Sequence, residues 1–413
     1  MITLFDRDSW QEIFLTLEKN PLRTLLTAFG VFWGILMLVL LIGTGQGFKT
    51  AIMHNFESMA TNSMFIWPER TTIPYKGLPR NREYNFTTDD VAAIRDVVKG
   101  IKHLVPQMRW ATILARRTMK GDFTITGTSP EIQDIEPLDL PLGRFVNQID
   151  MEQKRKIAVI GKKVHLALFK PGENPIGQFI QMGGVQYQVI GVFQSRHEGE
   201  WGNWQNGLVF LPLSTMQEAF NLGNRIGFLA MEAEKGMSAT TVGEEIKSLL
   251  KERHRIAPDD KLAINENNVE SDYRKLVYLF TGVEALIWVI GIGTLLSGII
   301  GVSNIMLFTV KARTHEIGIR RVLGATPIAV ISQVLMESLL LTAIAGVFGL
   351  GLGIAALSSL YGIETPMFRH PDISSVSALS SLGIIMISSL AAGLLPASRA
   401  VSLKPIEAIR DIT

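Results

Sequence analysis

Four long apolar stretches around one large mixed segment set the reading of this chain. No charged residue lies between Arg23 and Lys49, or between Glu284 and Lys311. From Thr326 to Tyr361 the only charge is Glu337, and Ile373 to Ser398 carries none. A helix needs about 20 apolar residues to cross the roughly 30 Å hydrocarbon layer, so each stretch is long enough to span it. Between the first two stretches, Thr50 to Arg274 mixes polar and apolar residues in the manner of a soluble domain. The pattern predicts an α-helical membrane protein with four transmembrane helices and one large α+β external domain.

Finer periodicity divides the chain further. Trp10, Ile13, Phe14 and Leu17 recur at i, i+3, i+4, i+7, which predicts an amphipathic helix lying in the membrane interface over residues 1–20. Asn20-Pro21 turns the chain into the first span at 21–49. The external domain follows at 50–274, then the second span at 275–310 and a cytoplasmic helix at 311–326. The third span takes 327–361, a short loop 362–374, the fourth span 375–397 and a tail 398–413. The first helical pattern continues to Met59 and the second begins near Glu270, both beyond what a bilayer requires. Two overlong helices flanking an inserted domain read as a stalk.

Inside the insert, Ser63–Trp67 reads as a strand. The next helix is announced by Thr87 as N-cap with Asp90 three residues on, and by Val91, Ile94 and Val98 on one face. Later come a strand at Ile226–Met231, a helix at Thr240–Arg253 and a strand at Lys261–Ile264. These two units predict a ferredoxin-like lobe built from both ends of the insert. A β-rich lobe is inserted between them, at about 128–222, and Gly183-Gly184 there joins alternating runs as a tight hairpin. Ser195–Gly207, with three glycines, reads as a mobile connection. Trp201 and Trp204 in it are either anchors for an external partner or rings folded back on the β-rich lobe.

Charge placement orients the chain. Arg7, Lys19, Arg23, Lys311, Arg313, Arg320, Arg321, Arg399, Lys404 and Arg410 flank the spans on one side, against Arg369 alone in the short loop opposite. The positive-inside rule puts both termini in the cytoplasm and the large domain outside. A net charge of +2 without basic blocks gives no sign of a nucleic-acid partner, and the absence of cysteine removes thiol chemistry. The acidic leading region also argues for a retained first helix rather than a cleaved signal.

Enzymatic motifs fail in turn. No G-x-x-x-x-G-K-[ST] cradles a nucleotide, and His197-Glu-Gly-Glu-Trp201 is not H-E-x-x-H, so neither cofactor nor metal is expected. Gly346, Gly349, Gly351 and Gly353 fall in a span, where small residues let helices approach closely. Glu284 and Glu337 are the ionisable residues near the spans. The densest local signal is cytoplasmic, Val310 to Ala325. Thr314 is placed to cap a short helix in which Glu316 pairs with Arg320 at i, i+4, punctuated by Ile317, Arg321 and Gly324.

This segment closely resembles the coupling-helix motif of the FtsX/MacB superfamily of ABC-transporter permeases, centred on Glu316-Ile-Gly-Ile-Arg-Arg321 and closing on Leu323-Gly-Ala325. Other matches fall in order: Lys19 to Val31; Gly127-Thr-Ser-Pro130, Leu142-Gly-Arg144 and Ala158-Val-Ile-Gly161 in the insert; Gly393 to Ala400 and Pro405 to Arg410 at the end. The resemblance implies a MacB-like half-permease, normally a homodimer, coupled through Thr314, Glu316, Ile317, Arg320, Arg321 and Leu323 to a cytoplasmic ABC ATPase. That ATPase, which binds the ATP, is expected on a separate chain. A periplasmic adaptor and an outer-membrane channel are the further partners implied. The bacterial inner membrane is the implied location, and ATP-driven motion would pass through the stalk to drive export. Lipoprotein-releasing permeases and FtsX-like regulators of cell-wall hydrolases, from the same superfamily, are the alternative readings.

Overall fold

The computed structural model describes residues 21–57, 59–197, 199–360, 369 and 375–402. The expected interfacial helix at 1–20 lies outside the described residues, as do the 362–374 loop apart from Arg369 and the tail beyond Ser402. Two compact units emerge: Met53–Tyr278, and the residues up to Ile52 together with those from Leu279 on.

The chain enters through helix α1 (Pro21–Glu57). The Met53–Tyr278 unit then begins with β1 (Ser63–Pro68), β2 (Phe86–Thr87), α2 (Thr88–Val97) and β3 (Ile101–Arg116). Next come β4 (Met119–Thr128), α3 (Ile132–Ile135), β5 (Leu138–Gly143), α4 (Gln148–Glu152), β6 (Ile157–Gly161) and α5 (Lys162–Leu168). The middle closes with β7 (Phe179–Met182), β8 (Val185–Ser195), α6 (Gly199–Gln205), β9 (Leu208–Pro212) and α7 (Leu213–Ala219). β10 (Arg225–Ile226), β11 (Phe228–Ala233), α8 (Ala239–Arg253) and β12 (Ile264–Asn268) complete the unit.

One lobe is an antiparallel sheet in the order β12-β1-β11-β3. Its buried Met64, Ile66, Leu229 and Met231 meet Val91 and Ile94 of α2 and Val242, Ile246 and Leu250 of α8. Helix α2 starts where the sequence places it. The Asp90 carboxylate accepts the Thr87 backbone N–H at 2.9 Å and its hydroxyl at 3.0 Å, tying down the first turn.

The second lobe grows from the far half of β3. That strand pairs with β11 through Gln107 and with β4 from Met108 onward, so one strand serves both lobes. From β3 the pairing runs β4-β9-β6-β8-β7 and returns to β3, closing a six-stranded barrel, with β5 on the outer side of β8. Closure removes exposed strand edges. Leu114, Ile125, Ile160, Ile180, Tyr187 and Val209 form its core, with Val164 and Leu168 of α5. The β7–β8 hairpin turns on Gly183 (φ +57) and Gly184 (φ +82), two positive-φ positions that suit paired glycines.

Three local expectations need correction. The strand expected at Ile226–Met231 breaks at Gly227 into β10 and β11. The strand expected at Lys261–Ile264 starts only at Ile264, because the Asp260 carboxylate takes the N–H groups of Leu262 and Ala263 and keeps that stretch in a turn. Ser195–Gly207 is no open loop: it holds α6. Gly202 there packs against the His197 carbonyl too closely for any Cβ, so this glycine permits the helix rather than loosening it.

The other unit is helical. After α1 it comprises α9 (Val269–Ala312), α10 (Thr314–Val322), α11 (Pro327–Ser359) and α12 (Ser375–Ser402). Among the described residues, Ala28–His54, α9 and α11 are long and apolar enough to cross a membrane. Small residues set their approach. Gly298 packs against the Gly30 backbone, while a Cβ on Gly349 would stand 2.7 Å from the Phe32 carbonyl oxygen. Among the described residues, nothing lies within 4 Å of a Cβ on Gly351.

Candidate functional site

The short helix α10 is held by one ion pair from the linker residue Arg313, a hydrogen bond from Arg320 to α11 and the packing of Ile317. Only Arg313 separates α9 from α10, which overturns the expected Thr314 cap. The Thr314 hydroxyl donates back to the carbonyls of Lys311 (2.7 Å) and Val310 (3.2 Å), which the end of α9 leaves unpaired. Arg320 reaches Glu316 at 3.3 Å and the Gln333 side chain of α11 at 3.2 Å. Arg313 lies 3.5 Å from Glu337, a buried carboxylate on α11. Ile317 turns inward onto the helical core. At the far end, Ala325 N–H bonds to the Arg320 carbonyl (2.9 Å) and Gly324 N–H to that of Arg321 (3.2 Å), with Gly324 at φ +105. That pair of hydrogen bonds stops the helix sharply.

The outward side of this turn is apolar. Leu323 is 81 % exposed, Ile328 76 % and Val322 62 %. Water contact on that scale, on residues held by rigid caps, makes a patch suited to a protein partner. Glu284, in contrast, is exposed on α9.

A second constellation lies in the Met53–Tyr278 unit. Trp201 and Trp204 occupy one face of α6, their ring centroids 4.8 Å apart. The Arg109 guanidinium of β3 lies over Phe228 at 4.3 Å and Trp204 at 5.0 Å. Beside them opens a cavity of about 470 Å³, lined by Met59, Phe65, Trp67, Met108, Arg109, Glu136, Trp201, Gly227, Phe228 and Asn267. Glu136 is buried, and burial pushes its carboxyl above the usual range despite the opposing field of Arg109. Burial likewise lowers Arg109, with Glu136 acting against that shift.

Residues 24–249, more than half of the chain, match the family described as the MacB-like periplasmic core domain, and residues 288–405 match the FtsX-like permease C-terminal family. The chain belongs to the MacB/FtsX superfamily of ABC-transporter permeases. It is 27% identical over 405 residues to the pyoverdine export ATP-binding/permease protein PvdT of Pseudomonas putida, covering 97% of this chain and 59% of that protein. It is 28% identical over 400 residues to the macrolide export ATP-binding/permease protein MacB of Rhodospirillum rubrum, covering 95% and 59%. Among solved structures it is similar to the periplasmic region of MacB from Actinobacillus actinomycetemcomitans, 20% identical with a TM-score of 0.44 over 55% of this chain and 97% of that one. This MacB/FtsX chain thus spans about three-fifths of the length of the curated relatives it matches, 59% in both cases.

The residues that the sequence singles out in this MacB/FtsX permease divide between its inner and outer sides. Glu316, Arg320 and Arg321 sit on α10 and Leu323 points outward, whereas Ile317 is committed to the helical core. Val322 and Ile328 complete the outward patch on either side of Gly324. Trp201 and Trp204 touch each other, and Trp201 lines the cavity. Arg109 and Glu136, their partners around the cavity, carry no mark in the sequence that singles them out.

Proposed function

We propose that this chain is the permease subunit of a MacB-like ABC transporter, driven by a cytoplasmic ATPase on a separate polypeptide to export material from the periplasm. In this reading α1, α9, α11 and α12 are four spans of the bacterial inner membrane, both termini are cytoplasmic and the Met53–Tyr278 unit is periplasmic. The excess of Lys and Arg around α10 supports that orientation. The order β12-β1-β11-β3, covered by α2 and α8, supports a ferredoxin-like lobe. Helix α9, about 66 Å long at 1.5 Å per residue over 44 residues, exceeds a bilayer and suits the transmission of motion. These 413 residues contain no phosphate-cradling loop, so in this reading ATP binds outside them, on the ATPase. A homodimer working with a periplasmic adaptor and outer-membrane channel completes the assembly that the superfamily implies.

The observation that carries this reading is the outward apolar turn Val322–Leu323, held by the Arg313–Glu337 and Arg320–Gln333 contacts to α11. A turn so braced moves with the membrane helices, so force applied to it by an ATPase reaches α9 and α11 directly. The test is a pull-down of the ATPase with the Val322→Asp, Leu323→Asp double variant. Two interfacial anchors are worth about 2 kcal/mol or more each. The variant should insert into the membrane normally and lose the ATPase. Wild-type recovery of the ATPase would place the coupling surface elsewhere.

A further inference from the structure

The cavity beside α6 has a composition that folding does not require. Phe65, Trp67, Phe228 and Trp201 supply an apolar wall, and two polar groups enter it without partners of their own. The Arg109 Nε is buried and makes no hydrogen bond, and no ion pair joins Arg109 to Glu136. Glu136 is 7% exposed, and its carboxyl makes no hydrogen bond or ion pair among the described residues. Buried polar groups are nearly always satisfied, and an unsatisfied one in a native protein calls for a reason. The volume, about 470 Å³, falls in the range of small-molecule sites, which are mostly apolar with a few placed polar groups.

The two polar groups specify the head of the occupant. Arg109 alone would select an anion, and Glu136 alone a cation. Side by side they present donors and an acceptor to one ligand, which must offer the reverse and stay close to neutral overall. An amide does this, its carbonyl accepting from Arg109 and its N–H donating to Glu136. The aromatic wall takes the apolar body, and the Arg109 face already engaged with Phe228 and Trp204 leaves the guanidinium edge for the head.

We infer that this cavity is a binding site for a small apolar molecule with an amide head, a peptide-like organic ligand, gripped between Arg109 and Glu136. The inference concerns binding alone and holds whatever the chain exports.

The test is calorimetric titration of the full chain in nanodiscs with three probes sharing a phenyl ring: N-acetyl-phenylalaninamide, phenethylamine and 3-phenylpropionate. The amide should bind saturably, about tenfold tighter than either singly charged probe, the worth of one charge-assisted hydrogen bond. Glu136→Gln and Arg109→Gln should each weaken the amide about tenfold, by the same reasoning. Trp110→Ala, on the exposed part of β3, serves as a control and should change nothing. Should Arg109→Gln fail to fold, Glu136→Gln alone decides the matter. Absence of saturable amide binding, tighter binding of either charged probe, or amide binding indifferent to Glu136→Gln would each overturn the inference.

Discussion

Two buried carboxylates in the same unit, Asp90 and Glu136, meet opposite fates. Asp90 is 2% exposed and accepts bonds from Thr87 twice, from Arg253 Nε at 2.7 Å and from His254 Nε2 at 2.8 Å. Burial pushes its carboxyl up, but the bonds from His254 and Arg253 outweigh it and hold the group well below the usual carboxylate range. Asp150 behaves likewise, with burial opposed by Arg144, the Asn147 N–H and Arg155. Glu136 has burial and no bonds, and moves up. Depth alone therefore fixes neither the protonation state nor the role of a buried acid; the number of donors around it does. Asp90 and Asp150 tie elements together, whereas Glu136 keeps its capacity for something that is not part of the chain.

The largest way to probe this contrast is Asp90→Ala. It removes the bonds that start α2 and leaves Arg253 and His254 without their shared carboxylate. Breaking a buried pair costs about 3–5 kcal/mol, and the partial exposure of Arg253 puts this case near the lower end. A thermal melt of the purified chain should show a clear drop. A folded-state pKa below the ordinary value contributes stability above the ordinary carboxylate pKa, and loses it as pH falls through the depressed value. Melts of wild type and Asp90→Asn should therefore differ at neutral pH and converge in acid. A constant difference at every pH would dissociate the effect from the charge.

Glu136→Gln should act in the opposite direction. An acid whose folded-state pKa is raised costs stability above that pKa, and the cost vanishes as pH falls to the ordinary carboxylate value. Replacing it by an uncharged isostere should raise the melt by the equivalent of about 1 kcal/mol at neutral pH, with the gain shrinking toward acid. A destabilised Glu136→Gln would mean that Arg109 depends on the carboxylate for support, and the contrast with Asp90 would collapse.

Half of this contrast is legible in the amino-acid sequence itself. Thr87 and Asp90 stand three apart ahead of an apolar helical face, a local signal that the fold follows. The uncharged runs of the membrane unit and the Gly183-Gly184 hairpin are equally local. Glu136 gives no such sign, because its environment is assembled from afar. The pairing of β11 with the near half of β3 and of β4 with the far half brings Phe228 and Arg109 together, and no local spacing encodes that. The misreading of Thr314 has the same origin on a smaller scale. Its neighbours suggest a cap, but a single residue after α9 puts its hydroxyl over carbonyls instead.

The smallest effect should come from the tryptophans, and it sharpens what the cavity is for. Trp201 is 46% exposed and Trp204 38%, so neither ring contributes what a fully buried aromatic would. They touch each other, and Trp204 offers its face to Arg109 at 5.0 Å. A cation–π contact in a partly exposed setting is worth about 0.5–1 kcal/mol. The double variant Trp201→Ala, Trp204→Ala should thus melt within a few degrees of wild type, far above Asp90→Ala. Helix α6 should persist, because its ends are held by Ser195, Gln205 and Asn206 rather than by the rings: the Ser195 N–H donates to the Asn206 side chain at 2.8 Å, and the Asn206 N–H to the Gly202 carbonyl at 2.9 Å. Measured beside Asp90→Ala in one series, a loss as large as that of the buried acid would show that the rings brace the two lobes. A near-silent melt would leave Trp201 as a wall of the cavity and Trp204 as its support against Arg109, maintained at little benefit to the fold.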